Sequence, residues 1–381
     1  MGMFLGIVTV LAAGALAYSL LSIVAAFRYL AAAKPPRNEY SADEPVSVLK
    51  PLSGLDEGLE GNLRGFFEQD YASLFELIFA VRHESDPCVP LVRRLCSEYR
   101  NVPARLILTG EPPYPHAKVY SLARMMAVAK HELIVMSDSD IRVTRDFLRH
   151  IAAEFADPKT ALATCPYRAV AGASVWSRIE AAGMNTTFWQ GAFTARLLEG
   201  MTFAVGPTTV LRRRFIDEVG GIASLKDYLA EDFELGRRLA AAGHRVILSS
   251  YVIEHRIGSE TAAQNCEHRI RWARTGRRSR RLGYFGQIFT YPLPLALLLW
   301  TIAPLDWWPA VVAALAVRAV SAWVTSQVVL GVRINWLLLP AEDLLGFGFW
   351  IAGFFGSSIT WRGRTYHLDR KGRAIAQEST A

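Results

Sequence analysis

The stretch Leu133-Ile134-Val135-Met136-Ser137-Asp138-Ser139-Asp140 decides the fold of this 381-residue chain. An apolar run suited to a buried strand ends in two carboxylates at i and i+2. Strand side chains alternate faces, so both acids point the same way from the strand's C-terminal end. Ligands of open α/β sheets bind outside that edge. Two hard oxygen ligands there suit Mg²⁺ or Mn²⁺ carrying a nucleotide diphosphate. The rival reading is a plain turn, because Asp and Ser also bend chains. The flanking sequence decides between them.

Working outward, Val46–Leu49 reads as a short strand followed by Lys50-Pro51 and a Gly-bearing turn, then a helix with Leu59, Leu63, Phe66 and Phe67 inward. A second strand, Leu74–Val81, ends near Asp86-Pro87. A Cys88–Tyr99 helix, an Ala104–Leu108 strand and a Lys118–Ala129 helix precede the diagnostic strand. Strands alternating with helices predict an α/β fold with a mostly parallel, doubly wound sheet. Beyond it the pattern is less regular, with a helix expected over Trp176–Leu198. Cys88 and Cys96 fall on the apolar stripe of their helix and read as core residues. Cys165 and Cys266 have no paired spacing, which fits a reduced compartment.

Both ends of the chain are apolar. Met3–Phe27 carries no charge and is long enough to cross a bilayer. Ala15-Leu16-Ala17 resembles a signal cleavage site, but the apolar stretch continues past it and no cation precedes it, so a retained anchor is expected. Arg28, Lys34 and Arg37 follow, and the positive-inside rule places the next domain in the cytoplasm. Apolar runs return at Tyr284–Leu305, Trp307–Leu330 and Trp336–Trp361, with Trp300, Trp307, Trp308, Trp336 and Trp361 near their ends. Three crossings would export the basic tail Arg362–Arg373, so one run is expected to be interfacial or re-entrant. Pro292 and Pro294 mark the first run for that role and Arg318 marks the second. The expected divisions are an anchor at 1–29, a linker at 30–44, a cytoplasmic domain at 45–281, membrane helices at 282–361 and a basic cytoplasmic tail at 362–381. The formal net charge is +7. Its cations cluster beside the apolar runs, above all Arg269, Arg271, Arg274, Arg277, Arg278, Arg280 and Arg281. That placement points to anionic headgroups or a diphosphate rather than nucleic acid.

Several polar positions carry both a structural and a chemical reading. Asp86, before a Pro, is a favoured helix start, and at a strand edge it can also face a base or ribose. Lys118 opens a helix where its charge opposes the macrodipole, which hints at a phosphate partner. Glu231 and Asp232 lie at a helix start that favours acids, yet a carboxylate there could take a proton from an attacking hydroxyl. His268, Arg271 and Trp272 share one side of a helix. Arg271 could neutralise a leaving diphosphate and Trp272 could stack on a sugar; the rival is a basic interfacial helix.

In order and spacing, Val48-Leu49-Lys50-Pro51-Leu52, Asp86-Pro87, Asp138-Ser139-Asp140-Ile141-Arg142-Val143, Ala230-Glu231-Asp232 and Arg271-Trp272 resemble the ceramide glucosyltransferases, family 21 inverting glycosyltransferases related to family 2. The ending Ile359-Thr360-Trp361-Arg362-Gly363-Arg364-Thr365-Tyr366 is similar to that group's tail. The resemblance implies a GT-A type domain with flanking helices, plus membrane helices at both ends of a multi-pass inner-membrane protein. It implies transfer of glucose from a UDP-sugar to the primary hydroxyl of ceramide. Lys50, Pro51, Asp86, Lys118, Asp138, Glu231, His268, Arg271 and Trp272 would contact the nucleotide-sugar. Asp138 and Asp140 would hold Mg²⁺ or Mn²⁺, and Asp232 would be the base. His268 departs from the family's usual Gln or Arg at that position. Two other enzymes share much of the pattern: a hopanoid lipid glycosyltransferase using UDP-N-acetylglucosamine, and a processive polysaccharide synthase. A transporter or silent scaffold is the non-enzymatic rival, with Arg318, Glu342 and Asp343 lining a polar path.

Overall fold

The computed structural model describes residues 2–33, 44–361, 364–370 and 372–376. Lys34, Arg37 and Arg362, cations used in the topology argument, lie outside the described residues, as does most of the 30–44 linker. The chain opens with α1 (Gly2–Ala32) and then alternates β1 (Val46–Pro51), α2 (Leu59–Phe67), β2 (Phe75–Val81), α3 (Val89–Glu98), β3 (Ala104–Leu108), α4 (Ala117–Val128) and β4 (Leu133–Ser137). Next come β5 (Ile141–Arg142), α5 (Phe147–Glu154), β6 (Thr160–Thr164), β7 (Tyr167–Ala171), α6 (Val175–Gly183), α7 (Trp189–Glu199), β8 (Thr208–Arg212) and α8 (Arg213–Glu218). α9 (Glu231–Ala241), β9 (Arg245–Leu248), β10 (Ile253–Gly258) and α10 (Ala262–Ser279) complete the central part. After it come α11 (Arg281–Gly286), α12 (Pro292–Ile302), α13 (Pro304–Trp323) and α14 (Leu339–Ala352), then β11 (Ser358–Trp361), β12 (Arg364–Leu368) and β13 (Ala374–Ala376).

The main sheet has seven strands in the order β3-β2-β1-β4-β8-β6-β9. β1 pairs in parallel with β2 and β4, β2 with β3, and β6 with β9. β8 is antiparallel to both its neighbours. The sheet is therefore mostly parallel with one reversed strand, and helices cover both faces. β4 sits at its centre, and all five of its residues are buried. Leu133 and Val135 enter one core cluster while Ile134 and Met136 enter the other, which is why the diagnostic run is apolar without alternation.

A second sheet, β5-β10-β7, stands at the C-terminal edge of the first. Its β5 follows directly on Asp140, and β10 sets His255 opposite Ile141. The helix expected over Trp176–Leu198 is α6 and α7 joined by a π-turn at Met184–Phe188. All four cysteines are free, and Cys88 is buried in the core as its spacing predicts.

α1 and the segment Pro304–Val329 are long and apolar enough to cross a membrane. The buried face of α1 is rich in small residues, Ala12, Ala15, Ser19, Ser22, Ala25 and Ala26, which let helix backbones approach closely. At its end Tyr29 donates to the Ser249 carbonyl at 2.7 Å, locking the helix to the sheet domain. Arg281–Thr290 and Pro292–Ile302 form a bent pair at 62°, the break falling where Pro292 and Pro294 stand. Arg318, expected as the mark of an interfacial second run, lies within the segment Pro304–Val329. It is buried and paired with Asp343 at 2.8 Å, so its charge is matched inside the bundle. Trp336–Trp361 is not one helix either. It divides into a 3-10 turn, the 14-residue α14 and strand β11.

The basic tail is folded over its described part. β11, β12 and β13 form an antiparallel sheet, and Arg373 bridges to Tyr228 while the Ala374 N–H donates to the Asp227 carbonyl at 2.7 Å. Three of the arginines before the first C-terminal apolar run, Arg274, Arg277 and Arg281, contact the chain that carries this sheet. Arg274 donates to the Phe355 and Ser358 carbonyls and Arg277 to those of Phe354 and Gly356. Arg269 pairs with Glu342, Arg280 with Glu199, and Arg281 donates to the Arg370 carbonyl.

Candidate active site

At the C-terminal edge of β4 the chain turns, and the Asp138 N–H donates to the Pro207 carbonyl at 2.9 Å. Asp138 Oδ1 meets Lys118 Nζ at 2.7 Å, and the same ammonium meets Glu231 Oε1 at 2.8 Å. His116 Nε2 contacts the other oxygen of Glu231 at 3.1 Å. The cation that opposes the α4 dipole is thus held by two carboxylates. Asp232 is beside Glu231 and accepts from the Gly206 N–H. A Cβ on Gly236 would lie 2.2 Å from the Ala204 nitrogen, so only glycine lets α9 rest on that backbone and bring Asp232 to Gly206. Lys118, Asp138, Gly206, Thr209, Glu231 and Asp232 line one cleft.

Asp140 is turned toward the second sheet, where its Oδ2 meets His255 Nε2 at 3.0 Å. Its Oδ1 is shut off from solvent with no hydrogen-bond partner among the described residues. A buried carboxylate oxygen without a partner is costly unless a cation takes it. Asp138 and Asp140, both oxygen donors at one strand end, fit a hard divalent ion on that ground.

The charges of the site are set by its burial. Burial would raise Asp140, but His255, with Lys50 and Lys118, outweighs it and holds the carboxyl low. Burial raises Asp138, partly opposed by Lys118. Glu231 is held well below the usual carboxylate range, since Lys118 and His116 overcome the effect of burial. Burial and the neighbouring Glu231 charge push Asp232 up to about 6, against the pull of Lys118 and of the Phe233 and Gly206 N–H groups. Two adjacent acids thus diverge, one firmly ionised and one tuned toward neutrality, which is the pattern of a division of roles.

The remaining expected contacts are differently placed. Lys50 is fully buried beneath the site, with Nζ 3.2 Å from Ser137 Oγ, bonded to the Asp138 carbonyl and 4.1 Å from the centre of the Phe66 ring. It reaches the cleft only through the chain it holds; burial lowers it to about 7 although Asp140 and Asp138 oppose this. Pro51, at the end of β1, is half-buried. Asp86 accepts from the Gly54 N–H at 3.1 Å and the Cys88 N–H at 3.0 Å, clamping the loop after β1 to the turn that leads into α3; the N-cap of α3 is Cys88, and its side chain makes no capping bond. His268 faces Glu180 at 2.8 Å and Glu260 at 3.7 Å. Trp272 meets His268 edge to face and approaches Phe188, with ring centres 4.5 and 6.4 Å apart. Arg271 is half-exposed on the same helix, and its charge reaches Glu260. These side chains form a separate wall, joined to the acids through Tyr167, whose ring lies 5.2 Å from that of His255.

Sequence reasoning overlooks His116, His255, Gly206, Glu180 and Glu260. His116 stands two residues before Lys118, an available signal. The others meet the site only through long-range packing.

The solved structure of the mannosyltransferase PcManGT from Pyrobaculum calidifontis, in complex with GDP-Man and Mn²⁺, aligns over 92% of this chain and 97% of its own at 19% identity and a TM-score of 0.55. That likeness establishes the GT-A type fold. Among curated proteins, ceramide glucosyltransferase 1 of Caenorhabditis elegans is 28% identical over 216 residues, 54% of this chain and 44% of its own length. Ceramide glucosyltransferase 3 of the same organism is 29% identical over 239 residues, 60% of this chain and 50% of its own. The chain thus spans about half the length of these relatives. The family model for glycosyl transferase family 21 matches residues 7–374, from within α1 to the first residue of β13. With the acids of the matched motifs gathered at one sheet edge, the chain belongs to glycosyl transferase family 21.

Proposed function

We propose that this chain is a membrane-embedded inverting glycosyltransferase that moves glucose from UDP-glucose to the primary hydroxyl of ceramide. The observation that carries the reading is the single cleft lined by Lys118, Asp138, Glu231 and Asp232 at the sheet edge. In this reading α1 anchors residues 1–29, the 45–281 domain faces the cytoplasm, and 282–361 holds the membrane and interfacial helices. A bacterial inner membrane is the proposed location.

Asp138 and Asp140 would hold Mg²⁺ or Mn²⁺. When bound there, the ion offsets charge growing on the departing diphosphate. Lys118 adds a fixed positive charge on the same side, while Asp86 orders the loop proposed to face the nucleotide. Asp232 takes the proton of the ceramide hydroxyl as its oxygen bonds to the anomeric carbon and the bond from that carbon to the UDP oxygen breaks. One displacement from the opposite face inverts the configuration and yields a β-linked glycolipid plus UDP. The ionised Glu231 holds Lys118 and keeps the neighbouring Asp232 basic enough for the transfer.

The transporter alternative is disfavoured by the pairing of its polar groups: Arg318 is matched by Asp343 and Glu342 by Arg269. The experiment that tests the proposal gives purified protein a panel of UDP-glucose and UDP-N-acetylglucosamine with ceramide and bacteriohopanetetrol, followed by mass analysis. Glucosylceramide is the expected product. An N-acetylhexosaminyl hopanoid, or a polymer, would transfer the assignment to the corresponding relative, and no lipid- and metal-dependent UDP release would remove it.

A further inference from the structure

Outside the cleft, three potential ligands converge where α6, the loop after β10 and α10 meet. Glu180, Glu260 and His268 each offer one ligand atom, and these atoms lie within 4.8 Å of one another. Glu180 is 3% exposed, and Asn265 between them is 1% exposed. The Asn265 amide donates to Oε2 of Glu180 and, at 3.2 Å, to Oε2 of Glu260. Each carboxylate therefore has its outer oxygen fixed and its inner oxygen, Oε1, turned toward His268 Nδ1, at 2.8 and 3.7 Å. Glu180 Oε1 and His268 Nδ1 are shut off from solvent, and neither makes an aligned hydrogen bond among the described residues. Three ligands about 2.0–2.1 Å from a tetrahedral ion lie roughly 3.3 Å apart, a spacing that falls between the two measured distances.

We propose that Glu180, Glu260 and His268 bind one borderline divalent cation, Zn²⁺ by their chemistry, at a site separate from Asp138 and Asp140. An imidazole with two carboxylates suits Zn²⁺ rather than Mg²⁺, which takes oxygen ligands and keeps its water. Two carboxylates turned toward one point also require a cation or a shared proton between them. Asn265 acts as the outer-shell orienter that such sites commonly possess. The surrounding chain is built to hold the geometry: Thr261 and Gln264 form a capping box that starts α10 directly after Glu260, and the Glu260 N–H donates to the buried Ser177 Oγ at 2.9 Å. Through the edge-to-face contact of His268 with Trp272 the ion fixes the α10 face that carries Arg271 and Trp272.

The test uses the full-length protein in detergent, stripped with a chelator and titrated with Zn²⁺ or Co²⁺ under excess Mg²⁺. One Zn²⁺ per chain is expected to bind, and binding survives in the D138N/D140N variant. Co²⁺ gives the visible absorption of a tetrahedral site. H268Q and E260Q each weaken Zn²⁺ binding by roughly 100-fold, at least the loss seen when an outer-shell partner is removed. X-ray absorption of the Zn²⁺-loaded wild type reads the ligands without any substitution, one imidazole among oxygens. A wild type that binds no Zn²⁺ in Mg²⁺, an absorption spectrum without a nitrogen ligand, or unchanged affinity in folded H268Q and E260Q overturns the proposal.

Discussion

At the scale of single residues, Asp232 and Glu231 are neighbours with opposite electrostatic fates, and the difference is testable. Asp232 accepts a backbone N–H from Gly206 and has no ion-pair partner among the described residues, while Glu231 takes both Lys118 and His116. As the proposed base, Asp232 changed to Asn keeps the shape of the cleft but cannot take a proton. UDP binding measured by calorimetry should stay within a few-fold of wild type while kcat falls by roughly 10²–10⁴; near-normal turnover would remove Asp232 from the reaction. The pH dependence follows from the same geometry. Only the ionised carboxylate accepts a proton, so activity is present above its pKa and lost as pH falls through it. With Asp232 pushed up to about 6, kcat/KM should fall on the acid side near 6. A profile flat down to about 4, the ordinary carboxylate range, contradicts the assignment.

At the scale of elements, the legible parts are those whose signal is local. β4 and its two aspartates stand out because a central strand buried on both faces reads as one apolar run. The β–α alternation from β1 to β4 is legible for the same reason. β8 is not, because nothing in Thr208–Arg212 says that it runs against its neighbours. The C-terminal sheet is hidden too: its strands are three to five residues long and are stabilised by distant partners such as Tyr228. A run of arginines likewise reads as a free basic patch until the carbonyls of 354–358 are in view. That hidden sheet matters to the site. Leu229 packs against Ile359, Tyr366, Leu368 and Ala374, so the loop leading into Glu231 and Asp232 rests on it. Deleting residues 364–381 leaves the Arg274 and Arg277 contacts intact but removes β12 and β13. Donor affinity is expected to change little, whereas kcat drops by roughly 10²-fold, the scale of a 1 Å misplacement of a reacting group. Steady-state kinetics of the truncated chain with unchanged kcat would detach the sheet from the site.

At the scale of the whole molecule, the apolar helices and the sheet domain are joined by buried polar contacts rather than by a linker alone. Arg318 of α13 binds Asp343 of α14 and also donates to Thr186 and Thr187 in the π-turn between α6 and α7, at 3.0 and 2.9 Å. Arg269 of α10 grips Glu342 with both terminal nitrogens, at 2.8 and 2.6 Å. Gly183 gives Glu342 room at this crossing, since a Cβ there would lie 2.2 Å from Glu342 Oε1 and displace the carboxylate that Arg269 holds. α10 carries Arg271 and Trp272, so the C-terminal apolar helices and this wall share one framework. The Arg318–Asp343 pair is fully buried, and removing one partner leaves an uncompensated charge. Asp343→Asn should therefore destabilise the folded protein by about 3–5 kcal/mol, whereas replacing both partners by apolar residues of similar volume, as in R318M/D343L, should recover most of that loss. Thermal unfolding of the three proteins in one detergent measures the difference. If the double variant is no more stable than D343N, the pair is doing something beyond charge neutralisation, and the hydrogen bonds of Arg318 to the π-turn become the term that holds the two halves together.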